Sequence, residues 1–194
     1  MSRFVLATIV EGDGDRAALP KLINGALRKP WVLPQPIKVA RNRVVKRDDA
    51  FRLEHYLPLA ASRIRERGGR GGVLVLLDAD DDAPCRLGPD LLERAKLVVP
   101  ETPVAVVLAT RMFESWLVAG GAVDSQEPPD EIHNPKRLIR DVRGGYRETI
   151  DQPELAGRID TGAAQRRSPS FDKLLRDLDR LEREGGGGSA EVSG

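Results

Sequence analysis

Two stretches of this chain carry enough carboxylate at close spacing to do chemistry. The first is Ile9-Val10-Glu11-Gly12-Asp13-Gly14-Asp15, three acids in five residues directly after an apolar run. The second is Leu77-Asp78-Ala79-Asp80-Asp81-Asp82, four acids in five positions after another apolar run. Alternation along an extended segment points Asp78 and Asp80 the same way. Paired carboxylates suit a hard divalent cation such as magnesium or manganese, which keeps water or phosphate oxygens in its remaining positions. The competing reading is structural: Asp13 or Asp15 caps the next helix, and Asp78 to Asp82 form an acidic loop before a helix near Pro89. An EF-hand is excluded, because its sixth position is Ala83 and its twelfth is Pro89.

Other chemistries find less support. Gly12-x-Gly14-x-x-Ala17 fits the loose dinucleotide fingerprint, but no acid stands in the Trp31 to Pro36 segment to hold a ribose. Three carboxylates would also crowd the pyrophosphate. The single Cys85 and the distant His55 and His133 leave no thiolate or imidazole metal site, and His55, flanked by Glu54 and Tyr56, reads as structural. No Walker A loop, nucleophile elbow or Cys–His pair is present.

The elements that must position these acids follow from apolar periodicity. Phe4 to Val10, Gln35 to Val39, Gly72 to Leu77 and Pro103 to Ala109 read as strands. Three of them are apolar on both faces, as in a parallel sheet covered by helices on both sides. Helices are expected over 15–28, over 49–67 with a kink or split at Pro58, and over 89–97. Strand and helix in alternation give an α/β fold with a mainly parallel four-stranded sheet. Ligands in such sheets bind beyond the carboxyl ends of the strands, where Glu11 and Asp78 stand. A crossover that brings strands one and three together puts Glu11 beside Asp78 and Asp80, and a cation is the simple way to offset their repulsion.

Beyond Ala119 the pattern loosens. Residues 120–169 read as an irregular extension with short helices near 135–142 and 152–157. An amphipathic helix over 170–184 follows, through Phe171, Leu174, Leu175, Leu178 and Leu181, with Ser170 as its N-cap. One domain therefore spans 1–184, and the Gly-rich tail 185–194 reads as disordered. Glu114 is either a fourth acid at the sheet edge or a helix-start Glu. Arg111 either contacts a phosphate or pairs with Glu114, and Trp116 and Leu117 read as core.

The chain has 194 residues with 31 Lys plus Arg against 30 Asp plus Glu, a formal charge of +1. Bulk charge therefore does not drive binding to nucleic acid or membrane. Basic clusters at Arg41-Asn-Arg43, Lys46-Arg47 and Arg166-Arg167 either follow a phosphate backbone or form a solvated face. No apolar run is long enough to span a bilayer and no signal-peptide pattern is present, so the chain reads as cytoplasmic.

A Glu-Gly after the first strand with a later Asp-x-Asp resembles the Toprim catalytic domain of topoisomerases, primases and OLD-family nucleases. Four stretches are similar, more narrowly, to the bacterial family called domain of unknown function 4276. They are Val10-Glu11-Gly12, Leu77-Asp78-x-Asp80, Met112-Phe-Glu114-Ser-Trp116-Leu117 and Ser168-Pro-Ser-Phe171. The resemblance implies a Toprim-like sheet on which Glu11, Asp78 and Asp80 hold magnesium for phosphodiester cleavage or transfer on nucleic acid. It also implies action beside an ABC-type ATPase partner in anti-phage defence, either as the nuclease or as a non-catalytic subunit.

Overall fold

The computed structural model describes residues 3–39, 45 and 53–186. The expected basic clusters at 41–43 and 46–47, the start of the 49–67 helix and residues 187–194 lie outside the described residues.

Four parallel strands form one sheet in the order β2-β1-β3-β4. They are β1 (Val5–Val10), β2 (Ile37–Lys38), β3 (Gly71–Asp78) and β4 (Val104–Ala109). Only β2 is much shorter than its sequence suggested, because prolines at 34 and 36 withhold amide donors from a ladder at its start. Eight α-helices are described: α1 (Asp13–Lys21), α2 (Leu53–Arg65), α3 (Pro84–Val98), α4 (Phe113–Ala119), α5 (Pro135–Arg143), α6 (Glu148–Ala156), α7 (Thr161–Arg167) and α8 (Pro169–Gly186). A π-helical turn, Leu22–Ala26, continues α1.

The strands alternate their side chains between two cores. Val5, Ala7 and Ile9 of β1 pack with Leu57, Ala60 and Ile64 of α2 and Leu91 and Ala95 of α3. Leu6 and Val10, with Leu74 and Leu76 of β3, pack on the opposite face with Ala18 and Leu19 of α1 and Phe171, Leu174 and Leu178 of α8. Both faces are therefore covered, which is why the strands are apolar throughout.

The topology sets the position of any site. From β1 the chain steps outward to β2 through α1 on one face. The return to β3 and the step to β4 run the other way, through α2 and α3 on the other face. Crossovers of constant hand must change face when they change direction. The chain thus diverges between the carboxyl ends of β1 and β3, and the resulting crevice is where open α/β sheets bind ligands. Val10 pairs with Leu76 across it, so Glu11 and Asp78 emerge on its two sides.

Several details depart from expectation. Pro58 does not split α2, and α3 starts at Pro84, whose ring presets the first helical turn. The extension holds the two short helices expected near 135–142 and 152–157, as α5 and as an α6 that begins at Glu148, together with an unexpected third, α7; at seven to nine residues each they are too short to show sustained periodicity. The cap of α8 is Ser168, whose hydroxyl accepts the Phe171 amide at 3.3 Å. Pro169 takes the first helical position, so Ser170 falls inside the helix, and the helix runs on to Gly186.

Ser170 has other work. Its hydroxyl accepts the Trp116 indole N–H at 2.8 Å and the Thr110 amide at 3.2 Å, and lies 3.1 Å from the Ser168 hydroxyl. Trp116 packs edge-on against Phe171, with ring centroids 5.6 Å apart, and Phe113 tilts against Trp116 at 5.2 Å. This aromatic and hydroxyl assembly bolts α4 to α8. Along the outer edge of β4, Lys173 donates to the Val106 carbonyl and Arg180 to the Val104 carbonyl, which blocks pairing with another strand. Replacing Ser170 with Ala leaves the buried Trp116 indole N–H and the part-buried Thr110 amide without their acceptor. The variant is expected to lose about 1–3 kcal/mol for the buried donor and less for the other, read from urea unfolding, whereas Ser170→Thr, which keeps the hydroxyl, should retain most of the stability.

Candidate functional site

The acids at the β1/β3 crevice act on one another from several elements. Asp78, at the end of β3, accepts the Phe113 amide at 2.9 Å and so caps the start of α4. That bond fixes α4 with Glu114 in its first turn, where Glu114 is only 2% exposed. Asp15, in the first turn of α1 and 8% exposed, accepts the Gly12 amide at 3.0 Å and the Gln152 amide at 2.9 Å. It therefore caps the helix, as one reading held, and also reaches across to α6. Gly14 permits this approach: a Cβ there would stand 1.9 Å from Gln152 Oε1 and 2.5 Å from Glu148 Cγ.

These groups share one electrostatic environment. Asp78 is pushed well above the usual carboxylate range, first by burial and then by the charges of Asp15, Glu114 and Glu11. Asp15 is raised by burial and by Glu148, against the bonds from Gln152 and Gly12. Burial also raises Glu114, against the opposing pull of Lys136 and of the Tyr146 hydroxyl. The extension supplies the counterweights. Lys136 of α5 lies 2.7 Å from Glu148 Oε2 and 3.7 Å from Glu114 Oε1. Burial disfavours its charge, but Glu148, Glu114 and Asp78 more than restore it. Tyr146 donates to Glu114 Oε1 at 3.0 Å, and burial with the nearby Glu114 keeps the phenol protonated.

The expected site residues thus divide. Glu11, Asp78 and Glu114 come together, so Glu114 stands among the acids at the sheet edge. Asp80 stands beyond the end of the strand. β3 ends at Asp78, and the chain turns through a left-handed Asp80 at φ 50° that is exposed. The alternation that pairs Asp80 with Asp78 holds only while the strand continues. The Asp80 amide donates to the Arg111 carbonyl, and Arg111 is itself left-handed at φ 64°. The Arg111 guanidinium pairs with Asp81 at 2.7 Å, where pairing with Glu114 was one expectation. Asp15, Lys136, Tyr146, Glu148 and Gln152 were missed as site residues. Asp15 read as a cap, and the other four sit in the extension, where only folding reveals what they face.

Among the described residues, no three carboxylate, imidazole or thiol side chains converge closely enough to hold a metal as they stand. The donor chemistry nonetheless fits magnesium or manganese: hard oxygens, mutually repelling, at a crevice. Such ions need only one or two protein carboxylates, with water and phosphate completing the shell.

The DUF4276 model, a domain of unknown function, matches residues 10–179. The chain belongs to this family. The four stretches that carry the DUF4276 resemblance are neighbours in space. Val10 pairs with Leu76 just before Leu77-Asp78, Asp78 caps the helix of the third stretch, and Trp116 of that helix bonds Ser170 of the fourth. Among solved structures the chain is similar to the C-terminal region of the Burkholderia pseudomallei OLD protein, at 15% identity and a TM-score of 0.40, over 93% of this chain and 99% of that one. A comparison with curated proteins gives no match.

Raised carboxylates make folding sensitive to pH in a definite direction. Asp15, Asp78 and Glu114 bind protons more tightly folded than unfolded. Their contribution is therefore full below the unfolded values near 4 and falls as pH rises through the folded values. The lowered acids Asp151, Asp172 and Glu182 act oppositely, but below that window. Metal-free protein is expected to lose stability as pH rises above about 4 toward neutrality. Asp78→Asn keeps an oxygen for the Phe113 amide and removes the charge, so it should melt higher than wild type at pH 7 and show a shallower pH slope. Thermal melts in chelator across that range check both.

Proposed function

We propose that this chain is a divalent-cation-dependent phosphodiesterase acting on nucleic acid, with magnesium or manganese held at the β1/β3 crevice. The observation that carries the reading is Asp78. It is fixed by a backbone hydrogen bond at a sheet switch point, and its charge is opposed by burial and three neighbouring acids. A fold gains nothing in stability from such crowding, and a bound cation converts it into favourable binding. Bound there, the cation would polarise a phosphoryl oxygen and lower the pKa of a bound water.

The chain's own groups have separable roles. Asp78 and Glu11, from adjacent strands, hold the cation, and Asp80 at the exposed turn reaches it only through water. Glu114, with raised proton affinity, takes a proton from the attacking water. The exposed Arg111–Asp81 pair is weak, so Arg111 can exchange Asp81 for a substrate phosphate. The resemblance to Toprim domains supports the same reading, and extends it to an ABC-type ATPase partner, anti-phage defence and a cytoplasmic setting.

The test is cleavage of single- and double-stranded DNA and RNA in magnesium, manganese or chelator. Wild type should cleave at least one substrate only with the metal, and Asp78→Asn should be slower by about a hundredfold or more. Equal rates for the folded variant and wild type would remove the proposal.

A further inference from the structure

Lys136 occupies an unfavourable place for a cation. It stands in the first turn of α5, whose N-terminal dipole repels positive charge, and that turn holds no acid of its own. Its ammonium instead reaches Glu148 Oε2 at 2.7 Å and Glu114 Oε1 at 3.7 Å, and its charge extends to Asp78 and Asp15. Lys136 is a cation that acts on both Asp15 and Glu114 and opposes the rise of their proton affinities. The Tyr146 hydroxyl meets the same Glu114 oxygen at 3.0 Å. An ammonium and a hydroxyl thus both crowd Glu114 Oε1, an oxygen that a metal ion would otherwise use. The helix that carries Lys136 is anchored by the buried Ile139 and by Asn134, whose side chain accepts the Arg137 amide at 2.8 Å.

We propose that Lys136 is a resident monovalent cation filling the Glu114–Glu148 half of the crevice, so that the chain binds one divalent ion, at the Asp78–Glu11 half, in place of two. Lys136 is then a specificity-determining residue for the number of metals. The inference rests on the cation site proposed above. Of the five carboxylates Glu11, Asp15, Asp78, Glu114 and Glu148, the divalent ion then serves the Asp78–Glu11 half and the ammonium the Glu114–Glu148 half.

The experiment is calorimetric titration of the full chain with manganese alone, at fixed pH and without substrate. Wild type should bind one ion per chain, and so should Lys136→Arg, which keeps the charge. Lys136→Met should either admit a second ion or bind the first about tenfold more tightly, since a like charge a few ångströms away has been removed. Two ions in wild type would overturn the inference, as would a folded Lys136→Met that matches wild type in number and affinity. Should Lys136→Met fail to fold by circular dichroism, the wild-type stoichiometry and Lys136→Gln decide. Absence of manganese binding in every protein would instead refute the cation site itself, which separates the two failures.

Discussion

The carboxyl ends of β1 and β3 force negative charge into a small volume, and much of the remaining structure answers that constraint. The switch in chain direction between these strands opens a crevice that no crossover helix can cover. Asp78 enters it from the end of β3 and Glu11 from just beyond β1. Burial raises the cost of the Asp78 charge, because protein replaces water as its surroundings, and Glu11 adds to that cost. The site is an electrostatic problem solved in part by hydrogen bonds, in part by proton uptake, and in part by a lysine brought from far along the chain.

The solution has two structural layers of different character. One is rigid and apolar: Trp116, Phe113 and Phe171 lock α4 to α8, and the Ser168–Ser170 hydroxyls satisfy the buried N–H groups around them. It fixes the start of α4, and therefore the distance between Asp78 and Glu114. The other layer is polar and comes from α5, α6 and the loop between them, where Lys136, Tyr146, Glu148 and Gln152 reach back to Glu114 and Asp15. Much of α6 lies against α1, and Gly14 makes that contact close enough for Gln152 to reach Asp15. Removing the first layer would misplace the acids; removing the second would leave them in place but unbalanced.

The sequence carried the frame well because its signals there are local and strong. Doubly apolar strands announce a covered parallel sheet, and acids directly after two such strands announce a sheet-edge site. The fine geometry was not legible. Asp80 looked equivalent to Asp78 because alternation was extended one turn too far, past the point where hydrogen bonding to Arg111 bends the chain. Ser170 looked like a cap because no local rule separates it from Ser168 except Pro169, whose preference for the first helical position shifts the cap by two residues. The four partners in the extension sit on helices or a loop without a sustained apolar stripe. Their meaning lies in what they face across the fold, and spacing along the chain does not encode that.

A near-neutral chain can still hold a strongly polarised site, because the balance of 31 basic and 30 acidic residues constrains only the sum. Exposed ion pairs such as Arg137–Asp141 and Arg158–Glu154 contribute little and can be broken at small cost. The pairs at the crevice differ, because Glu114 has almost no solvent to fall back on. Loss of Lys136 would leave it facing Asp15 and Asp78 with Tyr146 and its own backbone amide as donors. The same scarcity of water that makes the crowded acids unfavourable strengthens their attraction for any cation that enters. Stability given up at the crevice and affinity gained there are therefore two readings of one interaction, and the apolar lock around Trp116 is what lets the fold sustain it.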